Sequence, residues 1–115
     1  MKSDEHHTPD GCFTLLVKYE GEDISIGFAG FEWHMHGDLL AANYPLRQLG
    51  GLTSETATRR FVEDIISNRA VIAVTKVDGR IRDVWITDDI GKELRHKQPD
   101  EEIEFRYWDG TDART

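Results

Sequence analysis

Two stretches near the start of the chain, residues 13–19 and 24–30, alternate between apolar and polar side chains. An alternation with a period of two is typical of β-strands that bury one face. A two-residue turn at Gly21-Glu22 would bring apolar side chains together on one face, in the pairs Tyr19 with Ile24, Val17 with Ile26, and Leu15 with Phe28. The agreement of these pairs predicts an antiparallel hairpin in this register.

Apolar positions between residues 54 and 68 recur at spacings of three and four, which is the pattern of a helix with one buried stripe. Thr53 or Ser54 is suited to cap its first turn. A shorter helix is expected to begin at Asp38 and to end before Pro45.

A second hairpin is predicted over residues 70–77 and 80–87, because the Asp78-Gly79 pair between them is a strong signal for a two-residue turn. With that loop, the expected pairs are Ile72 with Trp85, Val71 with Ile86, and Ala73 with Val84. Residues 88–100 are charged and irregular, which predicts a loop or a frayed helical turn. Residues 103–108 alternate again and predict a last strand, with Trp108 on its polar side.

These elements predict an α+β fold: a mostly antiparallel sheet of about five strands, formed by two hairpins and a C-terminal strand, with one main helix packed on one face. Residues 12–108 are expected to form a single domain. Residues 1–11 are expected to be a disordered N-terminal tail and residues 109–115 a polar C-terminal tail. Residues 45–52 contain two adjacent glycines and are expected to form a loop.

The 115-residue chain has a net charge of −8, and the acidic residues are concentrated at its two ends. Residues 1–36 carry −5, residues 37–98 carry +1 and residues 99–115 carry −4. This distribution disfavours nucleic acid as a ligand, because phosphate backbones are bound by clustered Lys and Arg side chains. A single cysteine excludes an intramolecular disulfide, and no apolar run is long enough for a signal sequence or a membrane span. A soluble cytoplasmic protein is therefore expected, and a homo-oligomer is compatible with the sequence.

The segment between residues 28 and 38 concentrates side chains that bind metals. On a strand, Glu32, His34 and His36 would point to the same side. Two imidazoles one residue apart suit zinc or another divalent transition metal, and Glu32, Asp38 or His96 could supply a third ligand. The sequence therefore allows a metal site built on His34 and His36.

The string His-Met-His-Gly-Asp at residues 34–38 resembles the H-x-H-x-D opening of the metallo-β-lactamase motif. That resemblance implies a metal-dependent hydrolase, but the next residue is Leu39, where the family has a histidine. The H-x-H pair is also similar to that of the MPN metalloproteases. Their downstream Ser and Asp are replaced here by Tyr44 and Arg47. A metal-binding protein or metal-dependent hydrolase that uses His34 and His36 is thus the alternative interpretation.

No arrangement of Ser, Cys, His or carboxylate side chains along the sequence matches a nucleophilic or acid–base catalytic motif. The expected function is a non-enzymatic protein-binding domain: an adaptor, a regulator or an antagonist of a basic partner. The expected contact surface has Trp108 as an exposed aromatic anchor within an acidic rim, although the acids could serve solubility alone. The rim residues are Glu20, Glu22 and Asp23 of the first turn, with Glu101 and Glu102 near the last strand.

Overall fold

A computed structural model describes residues 2–43 and 53–114. Its elements follow one another along the chain in the order β1 (Lys2–His7), β2 (Thr14–Glu20), β3 (Asp23–Phe28), β4 (His34–His36), α1 (Gly37–Asn43), α2 (Ser54–Ile66), β5 (Val71–Val77), β6 (Arg80–Thr87), α3 (Ile90–Arg95) and β7 (Glu101–Arg106). The loop predicted over residues 45–52 lies outside the described residues.

The strands form two antiparallel sheets, not the single sheet of about five strands that the sequence suggested. The first sheet has the order β1-β2-β3-β4 and the second has the order β6-β5-β7. The α+β class and both hairpins are confirmed, whereas the single sheet with one main helix is only roughly matched. The division arises because β1 and β4 extend the first hairpin while β7 extends the second, so that each hairpin builds its own sheet.

The N-terminal segment, expected to be disordered, is a strand over most of its length. Lys2–His7 pairs with β2 over its full length, from Lys2 opposite Tyr19 to His7 opposite Thr14. An edge strand of this kind is held by backbone hydrogen bonds, which do not depend on apolar side chains. The polar composition of the segment therefore gave the wrong expectation.

The first hairpin has the predicted register, with Tyr19 opposite Ile24 and Leu15 opposite Phe28. Gly21 has a φ of 62°, as required at the first position of a tight hairpin turn. The inner face of this hairpin is buried, and its outer face carries the small or polar residues Ser25 and Gly27. The alternation in the sequence thus identified which face packs against the core.

The second hairpin has the predicted turn, but its register shifts by one residue beyond Thr75. Near the turn, Lys76 lies opposite Ile81, as the two-residue loop requires, and beyond the shift Ala73 lies opposite Trp85. The predicted pairing of Ala73 with Val84 is therefore wrong, as are those of Ile72 with Trp85 and Val71 with Ile86. The cause is a β-bulge, which places one extra residue in β6 and moves every later side chain of that strand relative to β5.

Both sheets share one hydrophobic core with α1 and α2. Thr53 caps α2, since its side chain accepts a hydrogen bond from the backbone N–H of Thr56 at 3.1 Å. Among the described residues, no helix is long and apolar enough to cross a membrane. The core includes Leu15, Val17, Ile26 and Phe28 from the first sheet, Ile72, Val74 and Val84 from the second, and Leu40, Ala57 and Ile65 from the helices.

The C-terminal segment folds back along β7. The backbone N–H of Ala113 donates to the carbonyl of Phe105 at 2.9 Å, and Arg106 and Asp112 form an isolated antiparallel bridge. The residues between them close a turn in which Asp109 accepts hydrogen bonds from Thr111. Residues 109–114 are therefore tied to the second sheet, although their side chains are mostly polar.

Candidate functional site

An open cleft of about 790 Å³ lies between the β2–β3 turn and the first turns of α1 and α2. The residues around it come from β1, from the β2–β3 hairpin at its turn, and from the starts of α1 and α2. They are Lys2, Tyr19, Gly21, Glu22, Asp23, Ile24, Asp38, Thr53, Ser54 and Glu55.

Close packing between α1 and α2 forms one wall of the cleft. Gly37 begins α1, and a Cβ at this position would lie 2.8 Å from Oγ1 of Thr58 and 3.2 Å from the carbonyl oxygen of Ser54. Only a residue without a side chain allows the two helices to approach this closely. The approach brings Asp38 and Glu55, in the first turns of the two helices, to the same cleft.

The cleft is strongly acidic. Among the described residues, its lining has four carboxylates, those of Glu22, Asp23, Asp38 and Glu55, against the single ammonium group of Lys2. Part of this charge is engaged within the protein, because Glu55 lies 3.3 Å from Arg59 and Asp38 accepts the backbone N–H of Leu39 at 2.8 Å. Asp23 lies 3.4 Å from Nδ1 of His36, whereas Glu22 is exposed on the turn.

Lys2 shows how a cation is held in this cleft. Its Nζ lies 5.3 Å from the centre of the Tyr19 ring, within the range of a cation–π interaction. Burial raises the pKa of Tyr19, and the nearby carboxylates of Asp4 and Glu55 raise it further. The phenol therefore stays neutral and presents its ring face beside carboxylates, an environment that favours ammonium and guanidinium groups.

The acidic residues predicted from the sequence do not form one continuous surface. Glu22 and Asp23 line the cleft, whereas Glu20 is exposed on the adjacent end of β2. Glu101 is engaged on the second sheet, where its carboxylate lies 3.7 Å from Arg82 and accepts the backbone N–H of Gln98. Glu22 and Asp23 therefore belong to the cleft, and Glu20 and Glu101 do not.

The other end of β7 is anchored far from the first turn. Arg106 forms an ion pair with Asp10, which lies in the connection between β1 and β2. This connection is at the opposite end of the first sheet from the Gly21-Glu22 turn. Glu102 lies opposite Lys76 in the second sheet and does not line the cleft.

Trp108 is not an exposed anchor. Only 6% of its surface is accessible, and it belongs to the hydrophobic core. Strand β7 ends at Arg106, and the chain turns at residues 107–110, so the alternation that placed Trp108 on the polar face no longer applies. The prediction that this side chain contacts a partner is corrected accordingly.

The two histidines of the predicted metal site lie side by side on edge strand β4. Their ring centres are 5.0 Å apart and the ring planes are nearly perpendicular, at 88°. Nδ1 of His34 is 3.0 Å from the carbonyl oxygen of Glu32, and Nδ1 of His36 is 3.4 Å from Oδ1 of Asp23. The structure therefore brings the two imidazoles together, and Nδ1 of each ring is near an oxygen atom of the protein.

The other predicted ligands are not assembled around this pair. Glu32 interacts with His34 through its backbone carbonyl, Asp38 bonds to the backbone of α1, and His96 ends α3. Within residues 2–43 and 53–114, no group of three or more His, Cys, Asp or Glu side chains could hold a metal ion. The oxygen near His36 comes instead from Asp23, which the sequence could not place there without the strand register.

Comparison with protein-family models, with curated proteins and with solved structures finds no match. Sequence reasoning missed Lys2, Tyr19 and Glu55 as site residues. Lys2 reaches Tyr19 of β2 only because β1 pairs with β2, and Glu55 reaches the cleft only because of where α2 packs. The only local signal was the acidity of the first turn.

Proposed function

We propose that the protein binds a basic segment of a partner protein, with a Lys or Arg side chain of that segment entering the acidic cleft. The observation that carries the proposal is the position of Lys2. The chain's own ammonium group lies over Tyr19 in a cleft lined by carboxylates. A partner's ammonium or guanidinium group would find the same chemical environment.

The size of the cleft supports the binding of a side chain from a partner protein. Binding sites commonly have volumes of about 300–1,000 Å³, and the cleft falls within that range at about 790 Å³. It is open, which suits a side chain on an extended segment better than an enclosed small molecule. The net charge of −8 would increase the rate of encounter with a cationic partner, and this effect weakens as salt is added.

The proposal is tested by titrating the protein with fluorescently labelled octapeptides rich in Lys or Arg, with a Glu-rich peptide as the negative probe. The cleft variant Glu22→Gln/Glu55→Gln is compared with Glu101→Gln/Glu102→Gln, which removes the same number of charges from the second sheet. We expect the cleft variant to weaken binding about threefold to tenfold, since two exposed charge interactions together contribute about 0.6–1.4 kcal/mol. The second-sheet variant should change the affinity less than twofold. Equal effects would mean that only net charge matters, as expected if the acids serve solubility alone.

A second pair of variants tests the role of Lys2. If Lys2 occupies the position that the ligand's cation takes, Lys2→Gln should tighten peptide binding about threefold or more. Lys18→Gln is the matched control, because Lys18 is exposed on β2 and the substitution changes net charge equally. An equal gain in both variants would contradict the assignment of Tyr19 and its carboxylates as the cation site.

A further inference from the structure

The distance between the rings of His34 and His36 lies in the range that a chelated metal ion requires. A metal bound to two imidazoles at about 2.1 Å, with a ligand–metal–ligand angle of 90–110°, places the ring centres about 4.5–5 Å apart. The observed separation is 5.0 Å. The separation of the ring centres is therefore compatible with both rings binding one ion.

The oxygen atoms near Nδ1 of each ring determine which ring nitrogen can bind a metal ion. A backbone carbonyl can only accept a hydrogen bond, so the neutral ring of His34 carries its proton on Nδ1, which faces the carbonyl of Glu32. The carboxylate of Asp23 favours the same tautomer in His36. Each ring then keeps its lone pair on Nε2, and neither Nε2 has a hydrogen-bond partner among the described residues. Metal-binding histidines are typically supported in this way by a carbonyl or carboxylate at the other ring nitrogen.

The position of β4 leaves the pair accessible. It is the edge strand of the first sheet, and its two histidines lie opposite Ser25 and Gly27 of β3, which have small side chains. His34 is exposed, and 38% of the side chain of His36 is accessible. An ion could bind here without any rearrangement of the core.

We propose that His34 and His36 form a two-histidine chelate for a divalent first-row transition metal ion, through Nε2 of both rings. Asp23 and the carbonyl of Glu32 act as positioning groups, and water completes the coordination. Imidazole suits Zn²⁺, Ni²⁺ and Cu²⁺, with Cu²⁺ bound most tightly of the three. This proposal shares Asp23 with the cleft but requires neither Lys2 nor Tyr19, and its measurement is metal binding rather than peptide binding.

The test is a calorimetric titration of the full chain with Zn²⁺, accompanied by electron paramagnetic resonance of the Cu²⁺ complex to count nitrogen ligands. We expect one ion per chain with micromolar affinity and two imidazole nitrogens bound to Cu²⁺. His34→Gln and His36→Gln should each weaken Zn²⁺ binding at least tenfold. Asp23→Asn should weaken it about tenfold while keeping both nitrogens, as expected when a supporting group is lost.

The matched control is His6→Gln/His7→Gln, which removes two histidines from β1 and leaves β4 intact. This variant should keep the affinity of the unmodified protein, and circular dichroism should show that all variants are folded. The proposal is overturned if His34→Gln and His36→Gln bind Zn²⁺ normally, or if the β1 variant loses binding. A stoichiometry of one ion per two chains would also overturn it, because the ion would then bridge two copies.

Discussion

Replacement of Gly37 by Ala should destabilise the protein through a clash between α1 and α2. The new Cβ would lie 2.8 Å from Oγ1 of Thr58 and 3.2 Å from both Cβ of Ile24 and the carbonyl oxygen of Ser54. Thr58 is 2% exposed and cannot move into solvent. Overpacking of this kind costs about 1–3 kcal/mol, and the better helix propensity of Ala offsets about 0.5–1 kcal/mol. The expected net loss is therefore about 1 kcal/mol, within a range of about 0–2.5 kcal/mol, measured by urea denaturation from the shift in midpoint at constant slope.

A matched control is available in Gly91 of α3. A Cβ there would lie 3.3 Å from the flexible end of the Arg95 side chain and at an ordinary contact distance of 3.4 Å from Oδ1 of Asp89. Gly91→Ala should therefore be neutral or stabilise the protein by about 0.5 kcal/mol.

A double-mutant cycle of Gly37→Ala with Thr58→Ala isolates the contact between the two helices. Removal of the Thr58 side chain should recover at least about 0.5 kcal/mol of the loss, because it removes the closest contact. Additive effects would refute the packing described for α1 and α2.

Two further predictions concern stability. The hydrogen bond from Thr8 holds the pKa of Asp10 well below its usual value, and Arg106 lowers it further, so Asp10 stabilises the fold at pH values above the unfolded pKa near 4. Because the carboxylate of Asp10 is exposed and solvent screens its interactions, Asp10→Asn should cost under about 1 kcal/mol at pH 7, and this difference should shrink as the pH falls from 5 toward 2. Denaturation at several pH values checks it, and a constant difference would contradict it. Trp108→Ala should cost at least about 3 kcal/mol because the side chain is in the core, whereas Ile66→Ala, at a position 38% exposed, should cost under about 1 kcal/mol. Thermal or urea melts compare the two, and a Trp108→Ala variant of normal stability would contradict its burial.

The sequence alone was sufficient where the structure depends on neighbours along the chain. The register of the first hairpin followed from the alternation around Gly21, because a two-residue turn and a period of two determine which side chains are opposite. The cap at Thr53 and the turn at Asp78-Gly79 were also predictable, since both depend on the conformations of a few adjacent residues. The proximity of His34 and His36 followed from their spacing on one strand.

Tertiary structure decided what depends on partners distant in sequence. The bulge in β6 shifted the second hairpin by one residue, and no side-chain pattern revealed it. The polar segment Lys2–His7 became ordered because β2 offered it backbone hydrogen bonds, and this order placed Lys2 over Tyr19.

The same limit applies to the candidate sites. Trp108 is buried because the chain turns after β7 and enters the core, which alternation along the strand could not show. Asp23 reaches His36 only because β4 pairs with β3. The sequence thus determined the individual strands, turns and helix caps through local chemistry. The cleft and the support of the histidine pair depended on how those elements pack, because each site joins residues whose contact exists only after folding.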